Sequence, residues 1–266
     1  MKIKSEVHPL TYDYSSVTEL PGSGATKEQL ARLYHRYYTA AQYITHKRVL
    51  EVACGAGIGL GYLEQTAARV VGGDYTPNLL RVARSYYQGQ IPLLALDAHH
   101  LPLRSQTFDV AIIFEAIYYL ADAERFISEV RRVLAANGIL LIGAVNKDWP
   151  EFAPSPFSSY YFSVPELCDL LSQSGFSRLE CYGAFPTKAA SFKHTAISFI
   201  RRLAVALNLM PKTLASRSHF KRLFYGKLSP LPSKVSDGMA ALYPTDPIAT
   251  NLPNKDYKII YYVGHP

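Results

Sequence analysis

The feature that most constrains how this chain can fold is an alternation of two periodicities. Short β-prone apolar runs at 48–53, 69–73, 91–96, 108–114 and 138–145 are separated by helical patterns at 59–67, 77–87, 122–135 and 165–174. Strands connected through helices by short loops predict a mostly parallel, doubly wound α/β sheet with helices on both faces. Ligands of such sheets lie at the carboxyl ends of the strands. Local punctuation agrees. Thr26 and Gln29 form a capping-box pattern before a helix with apolar positions at Leu30, Leu33, Tyr37, Ala41 and Ile44. Thr76-Pro77 fits an N-cap followed by proline at the first helical position, and Ser163 with Glu166 fits a second capping box. Asn137-Gly138 is expected to end the fourth helix of the alternation as a left-handed stop.

The first strand–helix junction is the most informative. Val49-Leu50-Glu51-Val52-Ala53-Cys54-Gly55-Ala56-Gly57-Ile58-Gly59 is a strand ending in an acid, then a run of small residues opening a helix near Leu60. Glycine at 55, 57 and 59 lets the backbone approach a ligand, and the helix behind it offers free N–H groups and a partial positive charge. A dinucleotide loop would need its third glycine at position 60, which is Leu60, and the Gly-Lys-Ser/Thr of a phosphate loop is missing. The loop alone therefore specifies a nucleotide-like ligand and no more.

Acids follow at regular stations. Asp74 ends the second strand, where a carboxylate can accept from both ribose hydroxyls of a nucleoside. Asp97 ends the third, placed to meet a base edge, and the fourth runs Phe108 to Glu115 toward the same cleft. In this ordered set the chain resembles the class I S-adenosylmethionine-dependent methyltransferases, in particular the group called methyltransferase domain 11, over residues 34–185. The resemblance implies a Rossmann-like seven-stranded sheet and S-adenosyl-L-methionine as cofactor, with S-adenosyl-L-homocysteine as product. It assigns the methionine part of the cofactor to Glu51, Gly55 and Gly57, with Ala53 and Cys54 in the same cofactor-binding loop and Cys54 expected as a small filler there. Ribose falls to Asp74 with neighbouring Tyr75, adenine to Asp97 and Ala98, and the pocket wall to Phe114. Arg36 or Tyr37, on the helix before the first strand, is expected to reach the cofactor carboxylate or to serve in packing. Glu51 stands where Asp is common in the family, and Ala53 where Gly is.

The acceptor end is less determined. Relatives often carry Glu-His where this chain has Tyr118-Tyr119, after Glu115. A phenol is a weak base at neutral pH, whereas a neutral amine needs no base and aromatic faces attract methylated cations. Glu115, Tyr118 and Tyr119 are thus the candidate catalytic residues, with N-methylation favoured over O-methylation and one tyrosine of the pair expected to pack. The Trp149–Phe162 loop, rich in aromatics and proline, predicts a small, fairly apolar acceptor from specialised metabolism. A membrane-associated lipid- or quinone-type O- or C-methyltransferase, or a catalytically silent cofactor-binding protein, is the alternative.

Composition enters through charge. The chain has 266 residues and a formal net charge of +7, yet no acid lies between Glu180 and Asp237, where ten Lys and Arg residues fall. Residues 186–255 are expected to form a basic, largely helical cap between strand 177–185 and a closing strand at 256–266, centred on Tyr257 to Val263. Its bland role is to cover the site; the stretch 193–228 could instead touch an anionic membrane surface. A nucleic-acid partner is disfavoured, because no RNA-binding module and no Asn/Asp-Pro-Pro-aromatic sequence follows strand four. Residues 1–25 are expected to be a flexible arm in which Tyr12 and Tyr14 could close over the site. His99-His100 lacks further metal ligands nearby and fits a solvated loop; no metal is expected. Three scattered cysteines, no apolar leader and no spanning segment make a cytoplasmic monomer or homodimer the expectation.

Overall fold

The computed structural model describes residues 13–155, 157–187 and 228–266. Its core is an eight-stranded sheet. The order across it is β4 (Leu93–Ala95), β3 (Arg69–Asp74), β2 (Arg48–Val52), β5 (Phe108–Phe114), β6 (Leu134–Val145), β10 (Tyr257–His265), β7 (Arg178–Pro186) and β9 (Asp246–Ile248). The first five run parallel; β10 is antiparallel to β6 and β7, and β9 to β7. The doubly wound class is as expected, but the strand count is eight rather than seven. The extra strand, β9, contains Pro247, which an edge position tolerates because no ladder donor is needed there. A separate pair joins β1 (Gly24–Ala25) to β8 (Ser229–Pro230).

Successive strand residues point to opposite faces, so each strand supplies two cores. Val49, Val110, Ile112 and Phe114 face α1 (Lys27–Ala41), α2 (Leu60–Glu64) and α3 (Pro77–Tyr87). Leu50, Val52, Ala111 and Ile113 face α4 (Ala123–Val133) and α5 (Val164–Gln173). The Thr26 capping box closes as expected: Gln29 N–H donates to Thr26 Oγ1 at 3.1 Å and Thr26 N–H to Gln29 Oε1 at 3.0 Å. At α5 the Ser163 N–H donates to Glu166 at 2.6 Å.

The expected left-handed stop at Asn137-Gly138 does not form. Helix α4 ends at Val133, and Leu134 passes directly into β6 in extended backbone. Leu134 pairs with Phe108 and Ile139 with Val110, so residues between them are absorbed as a bulge. Strand pairing beyond the helix overrode the local turn signal. Residues 13–25 are docked on the core rather than free: Tyr14–Ser16 form a short 3-10 turn over α3, and Asn78 donates to Asp13 at 2.9 Å. Tyr12, and residues 188–227 of the expected helical cap, lie outside the described residues. The described part of that segment, 228–255, carries β8 and β9 and no helix. No helix among the described residues is long and apolar enough to cross a membrane.

Candidate functional site

The carboxyl ends of β2, β3 and β5 converge on the glycine loop 53–59. The loop cannot follow regular dihedrals, since Ala53, Gly55 and Gly57 all have positive φ, at 58°, 58° and 71°. Glycine meets this without strain, whereas Ala53 is held in a conformation that a Cβ disfavours. Gly59 is required for a different reason: a Cβ there would lie 1.8 Å from the Tyr37 ring. That ring stands edge-on to Phe114 at 5.5 Å, and its hydroxyl donates to Glu51 Oε1 at 2.8 Å.

Glu51 is the most unusual group in the cleft. It is 2% exposed, and its second oxygen, Oε2, is buried with no hydrogen-bond partner among the described residues. Desolvation pushes its carboxyl up to about 7, opposed by the Tyr37 hydrogen bond and the Arg36 charge and aided by Asp74. A buried carboxylate left half satisfied is costly unless something charged completes it.

Asp74, at the end of β3, is also buried. Its Oδ2 accepts from Gly55 N–H and its Oδ1 from Thr76 N–H, both at 2.8 Å, so it pins the glycine loop to the start of α3. Burial raises its carboxyl and those backbone donors pull it back. Each oxygen keeps a further lone pair, so the expected ribose contact is compatible with this role. Tyr75 follows, with its hydroxyl buried and unpartnered among the described residues. Cys54 is buried in the loop, and burial drives its thiol well above the ordinary range, consistent with a space-filling residue.

Asp97 sits at the loop after β4, beside buried Ala98. Its Oδ1 accepts from the His99 backbone N–H at 2.9 Å and pairs with His99 Nδ1 at 2.7 Å. The other ring nitrogen of His99, Nε2, accepts from Asp122 N–H at 3.3 Å. His99 is thus a strut between two loops. Among the described residues, no group of three His, Cys, Asp or Glu side chains is arranged to hold a metal.

Arg36 pairs with Glu19 of the N-terminal segment, and its guanidinium lies 5.4 Å from the Tyr37 ring centroid. Its Nε is buried and unpartnered among the described residues. Arg36, Tyr37 and Glu51 are therefore together, as expected, and Glu19 joins them. Sequence reasoning missed Glu19 because nothing local marks an acid in a polar arm as the partner of a buried arginine.

At the end of β5, Glu115 adopts a positive φ of 53° and its N–H donates to Gly143 O at 2.8 Å. A non-glycine residue held so is costly and is over-determined by its surroundings, a pattern common at functional sites. Burial raises its carboxyl, with Arg36 and the Tyr118 hydroxyl opposing; that hydroxyl donates to Glu115 Oε2 at 2.8 Å. Tyr118 itself is buried, stacks on Tyr161 at 4.5 Å, and has its phenol driven far up, chiefly by burial. It is the packing member of the pair. Tyr119 is half-buried and lies 6.0 Å from Tyr14, which in turn meets Tyr75 edge-on at 6.3 Å. Phe152 packs edge-on against Tyr161 at 4.7 Å, so the 146–162 loop joins the same aromatic wall.

Comparison with known proteins agrees with this geometry. The methyltransferase domain family matches residues 50–142, from β2 into β6. A probable S-adenosylmethionine-dependent methyltransferase of Mycobacterium tuberculosis is 30% identical over 155 residues, 56% of each chain. A phthiotriol/phenolphthiotriol dimycocerosates methyltransferase of Mycobacterium leprae is 37% identical over 113 residues, 41% of each chain. The chain spans about half the length of the curated relatives it matches. Among solved structures, a methyltransferase of Thermotoga maritima described as a possible histamine N-methyltransferase has the same fold. Its TM-score is 0.58 at 18% identity, covering 90% of this chain and 91% of that one. Over residues 50–142, then, the chain matches the methyltransferase domain family and is similar to S-adenosylmethionine-dependent methyltransferases.

Proposed function

We propose that the protein transfers a methyl group from S-adenosyl-L-methionine to a hydroxyl of a largely apolar acceptor. The observation that carries the cofactor reading is Glu51 Oε2, a buried acceptor without a partner among the described residues, beside the glycine loop. An ammonium group would complete it, and the cofactor's methionine end carries one. Arg36 Nε, a buried donor without a partner among the described residues, complements it as a donor toward the cofactor's carboxylate. Asp74, Tyr75 and Ala98 would hold the nucleoside end. When bound, the cofactor supplies an activated methyl on a sulfonium; everything else falls to this chain's side chains.

Glu115 changes the weighing of acceptor chemistry. The lack of a histidine base points to amines, but a carboxyl raised by burial beside the aromatic wall can take a hydroxyl proton. Tyr118, donating to Glu115 Oε2, fixes which oxygen is left for that proton. The Mycobacterium leprae relative, named for triol acceptors, favours the same choice. Tyr14, Tyr119, Tyr161 and Phe152 form a wall suited to an apolar body, and a closed wall aligns reactants and excludes water. N-methylation is the second reading, favoured by the three tyrosine rings of 14, 75 and 119, whose faces can hold a methylated ammonium.

The test is turnover of the full chain with S-adenosyl-L-methionine against matched pairs of apolar alcohols, phenols and amines, read by mass of the organic extract. Methyl ethers from hydroxyl acceptors support the proposal. Methylated amines alone replace it with the second reading. Cofactor binding without any product would mark a silent binding protein.

A further inference from the structure

The glycine loop is held from outside the strands and helices that define it. After β8, Leu231 continues the pairing with the N-terminal segment: Gly22 N–H donates to Leu231 O and Leu231 N–H to Ser23 O, both at 2.8 Å. Leu231 and Val235 are buried. Val235 N–H then donates to Ile58 O, at 2.9 Å, within the loop itself. Two residues further, Asp237 Oδ1 accepts from the Tyr62 hydroxyl of α2 at 2.7 Å and from the Tyr34 hydroxyl of α1 at 3.2 Å. Gly238 N–H returns a bond to Tyr34 Oη at 3.1 Å.

A second support comes from α3. The Tyr87 hydroxyl, on α3, donates to Gly57 O at 2.7 Å and accepts from Gly61 N–H at 2.9 Å, bridging the loop to the first turn of α2. The Lys234 ammonium lies 4.9 Å from the Tyr87 ring centroid, so the two supports meet.

We propose that residues 231–238 are a tether that sets the cofactor-binding conformation of loop 57–61, with Asp237 and Tyr87 as positioning residues. Neither is one of the cofactor-binding residues assigned to the site. Loop 53–59 has no ladder of its own, and three of its residues have positive φ. Loops of that kind open at low free-energy cost unless bonds from elsewhere fix them. Ordering a binding loop before the ligand arrives removes that cost from the binding step. The tether bonds to the N-terminal segment at Ser23 and, through Asp237, to Tyr34 of α1 and Tyr62 of α2.

This inference rests on the cofactor reading of the loop, and the experiment separates the two. S-adenosyl-L-homocysteine is titrated into the full chain by calorimetry, and amide hydrogen exchange is followed over 54–62. Asp237→Ala leaves two phenols without their acceptor and is expected to weaken binding about five- to tenfold. Asp237→Asn keeps an oxygen acceptor and is expected to stay within about twofold of wild type. Tyr87→Phe, losing both bridging bonds, is expected to weaken binding about tenfold. Exchange over 54–62 should quicken in Asp237→Ala and Tyr87→Phe while β10 is unchanged. Tyr62→Phe, which removes one hydroxyl and no packing volume, gives the same direction if Asp237→Ala fails to fold. Unchanged affinity and unchanged loop exchange in these variants overturn the tether. A wild-type chain that binds no S-adenosyl-L-homocysteine overturns the cofactor reading instead, and loop exchange still decides the tether.

Discussion

If Glu51 takes the ammonium of the cofactor, binding must be linked to the loss of a proton from Glu51. Without ligand, burial holds this carboxyl at about 7, against an ordinary 4.5. The difference corresponds to about 3 kcal/mol, an upper figure for what ionising a buried, half-satisfied carboxylate costs the fold. The sign follows from proton counting. Between the unfolded and folded values the native state holds a proton that the unfolded chain has released, so this group's contribution to stability falls as pH rises from about 4.5 to 7. A cation bound to Glu51 demands the ionised form, so affinity runs the other way. Below 7 it should fall by about tenfold per pH unit, and the total change between pH 8 and pH 6 should be about tenfold. Calorimetric titration of S-adenosyl-L-homocysteine in two buffers of different ionisation enthalpy reads both the affinity and the released proton. Glu51→Gln should bind more weakly at pH 8 and lose the pH dependence. Affinity that is flat from pH 6 to pH 8 in the wild type, or a Gln variant with the same profile, would refute the linkage.

Other expectations follow from the same geometry. Glu115→Gln should lower kcat by about a hundredfold or more with hydroxyl acceptors while leaving cofactor affinity within a few-fold, read by steady-state kinetics beside calorimetry; an equal loss in both would place Glu115 in cofactor binding. Gly59→Ala forces a Cβ into the Tyr37 ring. It should cost about 3 kcal/mol or more of stability in denaturant titration and release Glu51 from its phenol; a variant as stable as wild type would contradict the packing. Tyr14→Ala should raise the acceptor KM several-fold, since the Tyr14 ring contacts Tyr75 and Tyr119; an unchanged KM would contradict its place in the acceptor wall.

Much of the fold was legible because its signals are local. Strand β5 ends where the apolar run ends, at Phe114, and α3 starts at Pro77 after Thr76 as its cap pattern states. The Glu51–Gly59 junction is likewise contiguous, and its geometry could be anticipated from residue types alone. What the sequence did not reveal depends on partners far along the chain. Pairing of Leu134 with Phe108 carried β6 back over the Asn137-Gly138 turn signal. The short edge strand β9 exists because β7 offers a free edge, and three residues containing a proline announce nothing by themselves. At the site, Glu19 meets Arg36 across seventeen positions and Asp237 meets Tyr34 across 203. Tyr118 and Tyr119 look equivalent as letters. Their rings touch at 4.7 Å, yet Tyr118 stacks inward on Tyr161 while Tyr119 lies toward Tyr14.

The most direct test of the central claim is photolabelling of the full chain with S-adenosyl-L-methionine radiolabelled on its methyl group, followed by peptide mapping. Label in the peptides holding Glu51–Gly59 or Phe114–Tyr119, abolished by excess S-adenosyl-L-homocysteine, is the predicted result. Label that S-adenosyl-L-homocysteine cannot displace, or that maps away from the carboxyl ends of β2 and β5, would contradict it.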